Sequence, residues 1–358
     1  MLPPCRLGGS LENSRALESR TGRYPGESVG DDSATRTNSV MDQAGVMSPQ
    51  GRVRPGGLQI WLQASRAFTL GMPFMSVTVG SFLAFYAGAS LSLPKYLAAA
   101  AAAMLLQGAA NLINDYYDFI KGTDVDNWEA PDAFGPGLVI QQGLLTAEQI
   151  HVAGLATFAA GSALGLTLVY ACGWPVLMLG LIGAFGSYFY TAEPLSLAYH
   201  GLGDLMVFAL MGPGYVLGGY YVQALSFSWT SALVGISMGL LCSSLLQVNN
   251  LRDIENDRKH GKWTMAAIIG RKAALVELVT CDTLAYVIVL ASVFFRLIPW
   301  PSILVLATLP RAIDQVRLVS GETNAEAHNR AMARSGQLQF EFGLALVAAF
   351  VLSRLMGW

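Results

Sequence analysis

The sequence predicts an all-α fold, a polytopic membrane bundle of about nine transmembrane helices with a weak internal two-fold pseudo-repeat. Three observations predict it. Of 358 residues 53% are hydrophobic and only 13% charged, about half the charge of a soluble domain. Apolar stretches recur at lengths close to the ~20 residues that cross a bilayer. The Lys and Arg residues divide unevenly between alternate connections.

The chain opens on a polar extension, residues 1–60, rich in Gly, Ser, Arg and Pro. It has too little apolar surface to order itself and no apolar core of a secretory signal, so a disordered tail is expected there. A membrane domain is expected over 65–358, with spans at 68–91, 94–117, 149–170, 174–192, 203–223, 229–248, 272–295, 299–318 and 338–357. The eighth is the shortest in apolar content, "PWPSILVLATLP" running into Arg311, Asp314 and Arg317. With the N-terminus inside, fourteen Lys and Arg of the membrane domain and its approach lie on the cytoplasmic side and three, Lys95, Arg296 and Arg354, lie outside. That bias sets the orientation. Glycines at three- and four-residue spacing (154, 161 and 165; 180, 183 and 186; 235 and 239) predict closely packed helices. The four cysteines have no metal or disulfide spacing. A net charge of −2 gives no sign of a nucleic-acid partner.

Two polar clusters interrupt this apolar pattern at cytoplasmic helix ends. In the second span Gln107, Asn111, Asn114, Asp115 and Asp118 fall on one helical face. In the sixth, Asn249, Asp253 and Asp257 do the same. Asn114 and Asp118 precede Asn249 and Asp253 by the same 135 residues, which is the trace of the pseudo-repeat. Facing each other, such carboxylates repel unless a cation lies between them. Hard divalent cations prefer carboxylate and amide oxygens, and Mg2+ typically shares one or two carboxylates with substrate phosphates. Arg252, Arg258, Lys259, Lys262 and Arg271 interleave the second cluster, and cations bind phosphate oxygens. The combination points to a metal-diphosphate site. Ionisable groups at membrane depth are functional candidates by default.

These residues resemble the UbiA superfamily of intramembrane prenyltransferases. "NDYYDFIKGTD" is similar to its first motif, Asn-Asp-x-x-Asp-x-x-x-Asp, and "DIEND" to its second, Asp-x-x-x-Asp. The stretches "VNNLRDIENDRKHGKWTMA", "FGPGLVIQQGLLTAEQ" and "YTAEPLSLAYHGLGDLMVF" resemble the 1,4-dihydroxy-2-naphthoate polyprenyltransferase branch, which makes menaquinone. Two positions depart from the pattern. The third aspartate of the first motif would fall at Gly122, with Asp124 two residues late, and Leu138 stands where the loop carries Arg.

The resemblance implies an intramembrane enzyme, multi-pass in the plasma membrane, with its active site at the cytoplasmic face. Its substrates would be a polyprenyl diphosphate and an aromatic acid, its cofactor Mg2+, with no nucleic-acid partner. By resemblance Asp115, Asp118, Asp253 and Asp257 hold the metal and carry catalysis, assisted by Asp124. Asn114, Asn249 and Asn111, with Arg252, Lys259 and Lys262, hold the diphosphate. Ionisation of the allylic C–O bond leaves a cation that aromatic rings shield, by roughly 0.5–2 kcal/mol each. Tyr117 and Tyr190 are the foremost candidates among Tyr116, Tyr117, Tyr188, Tyr190 and Tyr199. Asp204 and Glu193 are open choices for a base, and helix capping accounts for either equally well. Glu277, Asp282 and Glu341, inside spans, are expected to face the interior and to be paired.

Other acceptors remain open at this level: 4-hydroxybenzoate, homogentisate or a futalosine-route intermediate. A transporter of two related halves would carry polar sites near the bilayer midplane. Here the charges gather at one face, and spans one, three, four and five lack central ionisable residues. Retention of four motif carboxylates argues against a catalytically idle assembly factor.

Overall fold

The computed structural model describes residues 56–123, 138–321 and 325–357. Residues 1–55 and Asp124 lie outside that set, so the expectations placed on them stand outside it too. The last residues of the expected polar extension begin a short helix, α1 (Gly57–Ala64). After a 3₁₀ turn at Ala67–Leu70 come α2 (Gly71–Tyr86), α3 (Leu93–Ile120), α4 (Ala147–Cys172) and α5 (Trp174–Phe189). Then follow α6 (Gly203–Ala209), one π-helical turn (Leu210–Gly214) and α7 (Tyr215–Ala224). The long α8 (Trp229–Lys259), short α9 (Met265–Ile269), α10 (Arg271–Phe294), α11 (Leu309–Gly321) and α12 (Ala325–Met356) complete the described chain.

Among the described residues seven helical segments are long and apolar enough to cross a bilayer, rather than nine. The expected fourth span is a shorter apolar helix of 16 residues, α5. The expected eighth is a 3₁₀ stretch, Trp300–Thr308, leading into α11. Pro299, Pro301 and Pro310 remove three backbone donors there, which an uninterrupted α-helix needs. The protein is an integral, multi-pass helical membrane protein.

The core forms where α2, α7, α8, α10 and α12 meet. Leu83, Val216, Met238, Leu241, Ala285, Phe342, Leu346 and Phe350 are buried together there. α3 packs along α4, and α8 along α10 and α12. The glycine expectation holds in part. A methyl group at Gly154 would come within 3.0 Å of Ile113, and at Gly161 within 3.1 Å of Leu105, so these glycines set how closely α4 approaches α3. Gly235 and Gly239 receive the π turn, whose Pro213 and Gly212 backbone would clash with any side chain there. Gly165, Gly180 and Gly183 instead face open space.

The three acidic residues expected inside spans have named partners. Gln247 donates to Glu277, and Gln315 to Asp282. Glu341 receives Arg311 at 3.2 Å but is half-exposed, not interior.

Candidate active site

Both acidic clusters sit at the same depth on their helices. Asn114 is 21 residues into α3 and Asn249 is 20 residues into α8. At 1.5 Å per residue, that is about 30 Å from each helix start, the thickness of a hydrocarbon core. The carboxylates therefore begin where hydrocarbon ends.

The two helices also stop in the same way. Gly122 (φ 78°) and Gly261 (φ 71°) take the left-handed conformation. The next residue in each case bonds back to an aspartate carbonyl: Thr123 N–H to Asp118 O at 2.9 Å, and Lys262 N–H to Asp257 O at 2.8 Å. This is a glycine-terminated helix cap. It explains why the position aligned with a third aspartate is Gly122, since an aspartate there would strain the backbone. The reversal turns Thr123 and Lys262 back into the site. The Thr123 hydroxyl is 2.8 Å from Tyr199 Oη, and Lys262 Nζ is 2.9 Å from Asp118 Oδ2. Trp263 N–H bonds to Tyr199 O at 3.1 Å, tying the connection after α8 to the one after α5.

Asp118, Thr123 and Lys262 line a cavity of about 390 Å3. Of the residues expected at the site, Asn111, Asn114, Asp118, Asn249, Arg252, Asp253, Asp257, Lys262 and Tyr190 line it. Each carboxylate is already engaged. Arg66 Nη2 is 2.6 Å from Asp115 Oδ1. Asp118 accepts Tyr199 Oη–H at 2.6 Å, Asn114 Nδ2–H at 2.6 Å and Lys262. Arg252 grips Asp253 with Nε at 2.8 Å and Nη2 at 2.7 Å, and also reaches Asn249 Oδ1 at 3.0 Å. Asp257 accepts the Thr264 hydroxyl at 3.1 Å.

Four expectations need correction or qualification. Asp115 lies behind the cavity wall, fully buried against Arg66. Tyr117 faces away from the cavity and packs edge-on against Tyr116, with His151 beyond it. Lys259 is exposed and does not reach the lining, because the helical period carries it off the face shared by Asp253 and Asp257. Asn111 lines the cavity, but its Nδ2 is spent on Ser65 O and Thr69 Oγ1, fixing the 3₁₀ turn that begins α2. Of the two open choices for a base, Asp204 lines the cavity and Glu193 is exposed.

Several site contacts lay outside the motif reading, including a role for Tyr199 other than the cation shielding expected of it. Arg66 is held in the left-handed region (φ 49°), a strained state that is kept only where its surroundings enforce it. Its one sequence signal is a lone cation beside a span. Tyr199 is tied to Asp118, and burial followed by that carboxylate raises its pKa, so the phenol stays protonated and donates. Lys121 Nζ bonds to Ser196 Oγ at 2.7 Å and sits 4.1 Å above the Tyr199 ring. Burial lowers its pKa. Asn256 Nδ2–H bonds to Thr123 O at 2.7 Å, a second link between the clusters.

The residue types suit a hard cation. Every donor is a carboxylate or amide oxygen, and Asp115 Oδ2 is buried with no hydrogen-bond partner. Among the described residues no three acidic, histidine or cysteine side chains converge on one point. A metal held by these oxygens would need phosphate oxygens to complete its shell.

A second groove, about 740 Å3, adjoins the cavity and shares Phe68, Met72, Asn329 and Met332 with it. It runs between the start of α2 and α12, past Gly71, Ala333, Gly336 and Phe340.

A helical membrane protein with two oxygen-rich helix ends closing on one cation-lined cavity defines the class: an intramembrane enzyme site for an anionic head on a lipid-like substrate. The model of the UbiA prenyltransferase family matches residues 74–352, and the chain belongs to that family. It is 32% identical over 305 residues to the 1,4-dihydroxy-2-naphthoate octaprenyltransferase of Escherichia coli (strain K12), covering 83% of this chain and 96% of that one. It is 31% identical over 261 residues to the protein of that name from Bacillus subtilis (strain 168), covering 72% and 81%. The solved structure of a UbiA homolog from Archaeoglobus fulgidus bound to DMAPP and Mg2+ matches with TM-score 0.53 at 16% identity, covering 80% of this chain and 99% of that one, a likeness of fold.

Proposed function

We propose that this protein transfers a polyprenyl group from a polyprenyl diphosphate to 1,4-dihydroxy-2-naphthoate in menaquinone biosynthesis, at the cytoplasmic face of the plasma membrane. The observation that carries this reading is the Lys262–Asp118 pair, which joins the two motif helices at one cavity beside an apolar groove. The names of the bacterial relatives support the choice of acceptor. The excess of Lys and Arg on one set of connections supports the orientation.

Asp118, Asp253 and Asp257 are the residues that would hold Mg2+, with Asp115 and Asp124 in support. Bound with the diphosphate, the ion supplies Lewis-acid stabilisation of the departing oxygens. Lys262, Arg252 and Arg66 supply fixed positive charge to the same oxygens, and such preorganised charge needs no rearrangement as the C–O bond breaks. Asn114 and Asn249 orient the head group. The isoprenoid tail lies in the groove between α2 and α12, against Phe68, Met72, Met332 and Phe340. Tyr190 shields the allylic cation in place of Tyr117. The ring carbon bearing the acceptor carboxylate forms the new C–C bond, the bond to the carboxylate breaks, and CO2 and diphosphate leave. Both hydroxyl protons remain on the product.

The test is mass spectrometry of products from purified protein given Mg2+, one polyprenyl diphosphate and a panel of aromatic acids. A prenylated dihydroxynaphthalene lacking the carboxylate is expected. Product from 4-hydroxybenzoate or homogentisate alone would move the assignment to another acceptor.

A further inference from the structure

The cavity lining carries the cations Lys262, Arg252 and Arg66 among carboxylates. It also carries Asp204, the second residue of α6, with Asn250 of α8 facing it. The same lining includes the apolar side chains of Met206, Val207, Leu210, Met211, Cys242 and Leu245. Asp204 is 6% exposed and Asn250 5%. Asn250 Nδ2 lies 3.4 Å from Asp204 Oδ2, and Asp204 Oδ1 is buried with no hydrogen-bond partner. Among the described residues no cation pairs with Asp204, unlike Asp115, Asp118 and Asp253. A carboxylate left this way at membrane depth is expensive and calls for a donor.

The substrates decide what that donor is. The diphosphate is an anion that Asp204 repels, and the prenyl tail has no polar hydrogen. The aromatic acceptor alone brings O–H groups. Its 1-hydroxyl sits beside its own carboxylate and bonds to it internally, so the 4-hydroxyl is the free donor. Tyr190 lines the same cavity, its hydroxyl 3.3 Å from where a side chain on Gly203, the residue before Asp204, would begin. At Gly186 a side chain would collide with Met206 and Leu210, so the glycine lets those two side chains pack against α5.

We propose that Asp204, steadied by Asn250, is the acceptor-binding residue that takes the hydrogen bond of the naphthoate 4-hydroxyl and fixes which ring carbon faces the allylic carbon. This rests on the prenyl-transfer reading above. No net proton leaves, since the replacement returns both hydroxyls intact; the carboxylate orients and polarises the O–H.

The experiment compares 1,4-dihydroxy-2-naphthoate with 1-hydroxy-2-naphthoate, which keeps the activating hydroxyl and the carboxylate but lacks the 4-hydroxyl. Each is assayed with Mg2+ and one polyprenyl diphosphate in wild type, Asp204→Ala, Asp204→Asn and Asn250→Ala. Wild type should prefer the dihydroxy acid by roughly 10- to 100-fold in kcat/KM, as a hydrogen bond to a buried charge implies. Asp204→Ala should erase that preference while the KM for the diphosphate stays within about threefold. Asp204→Asn, which keeps the shape without the charge, should retain a smaller preference and serves if the alanine variant does not fold. Asn250→Ala should weaken the preference without abolishing it. An undiminished preference in Asp204→Ala or, if that variant does not fold, in Asp204→Asn, or no preference in wild type, overturns the assignment and leaves prenyl transfer standing. No product from either naphthoate in wild type overturns the underlying reading, and this assignment with it.

Discussion

The ammonium of Lys262 lies 2.9 Å from Asp118 Oδ2, across 144 residues of sequence. Two carboxylate-bearing helix ends ought to repel. In this fold Lys262, just past the end of one, reaches Asp118 on the other, while Arg252 neutralises Asp253 and Arg66 neutralises Asp115. The same cations are placed to meet a diphosphate.

Removing the motif carboxylates separates chemistry from folding. Asp118→Ala and Asp253→Ala are each expected to abolish prenyl transfer while the protein still inserts and purifies as a monodisperse species. Product formation by radiolabelled prenyl transfer, alongside size-exclusion profiles, is the measurement. Undiminished turnover in either variant would refute the assigned roles.

The two neighbouring lysines should behave oppositely. Lys262→Ala removes a preorganised charge from the cavity and should cost on the order of 100-fold in kcat/KM for the diphosphate. Lys259→Ala alters an exposed position outside the lining and should change it less than about twofold. Equal losses would contradict the placement of the two side chains.

Tyr199→Phe deletes one hydroxyl from Asp118, to which it is bonded at 2.6 Å. A hydrogen bond to a charged group is worth about 1.5–3 kcal/mol. The variant should lose roughly 10-fold or more in turnover and keep its fold, as judged by melting temperature in detergent.

Arg66→Ala should destabilise the protein more than a surface change does. It strands Asp115, which is 0% exposed, without its ion-pair partner. Breaking a buried pair from one side costs about 3–5 kcal/mol. Adding Asp115→Asn should recover part of the loss. A thermal-melt double-mutant cycle with no coupling between the two positions would argue against the pair.

Chelation with EDTA should halt product formation, and Mg2+ should restore it without refolding. Retained turnover after exhaustive chelation would exclude the metal role given to Asp118, Asp253 and Asp257.

Helix type, approximate span positions and both acidic clusters were legible in the chain because each rests on local pattern: runs of apolar residues, and carboxylates repeating at one helical face. The 135-residue repeat of Asn114 and Asp118 as Asn249 and Asp253 was legible for the same reason. The glycine caps align instead at a longer offset, since Gly122 follows Asp118 as Gly261 follows Asp257. The second helix therefore runs one turn further, and that turn carries Asp257.

Tertiary structure decided what local pattern cannot carry. Arg66 and Tyr199 enter the site through contacts across 49 and 81 residues. Lys259 points outward because the helical period carries it off the shared face, and Lys262 turns inward because the left-handed Gly261 reverses the chain before it. Of the two tyrosines expected to shield the cation, Tyr190 lines the cavity and Tyr117 does not, because α3 directs Tyr117 against Tyr116 while the chain after α5 directs Tyr190 to the cavity. Sequence alone specified which residues a metal-diphosphate site would need, since charge and helical spacing are local properties. Which of them share one cavity depended on the packing of helices far apart in the chain.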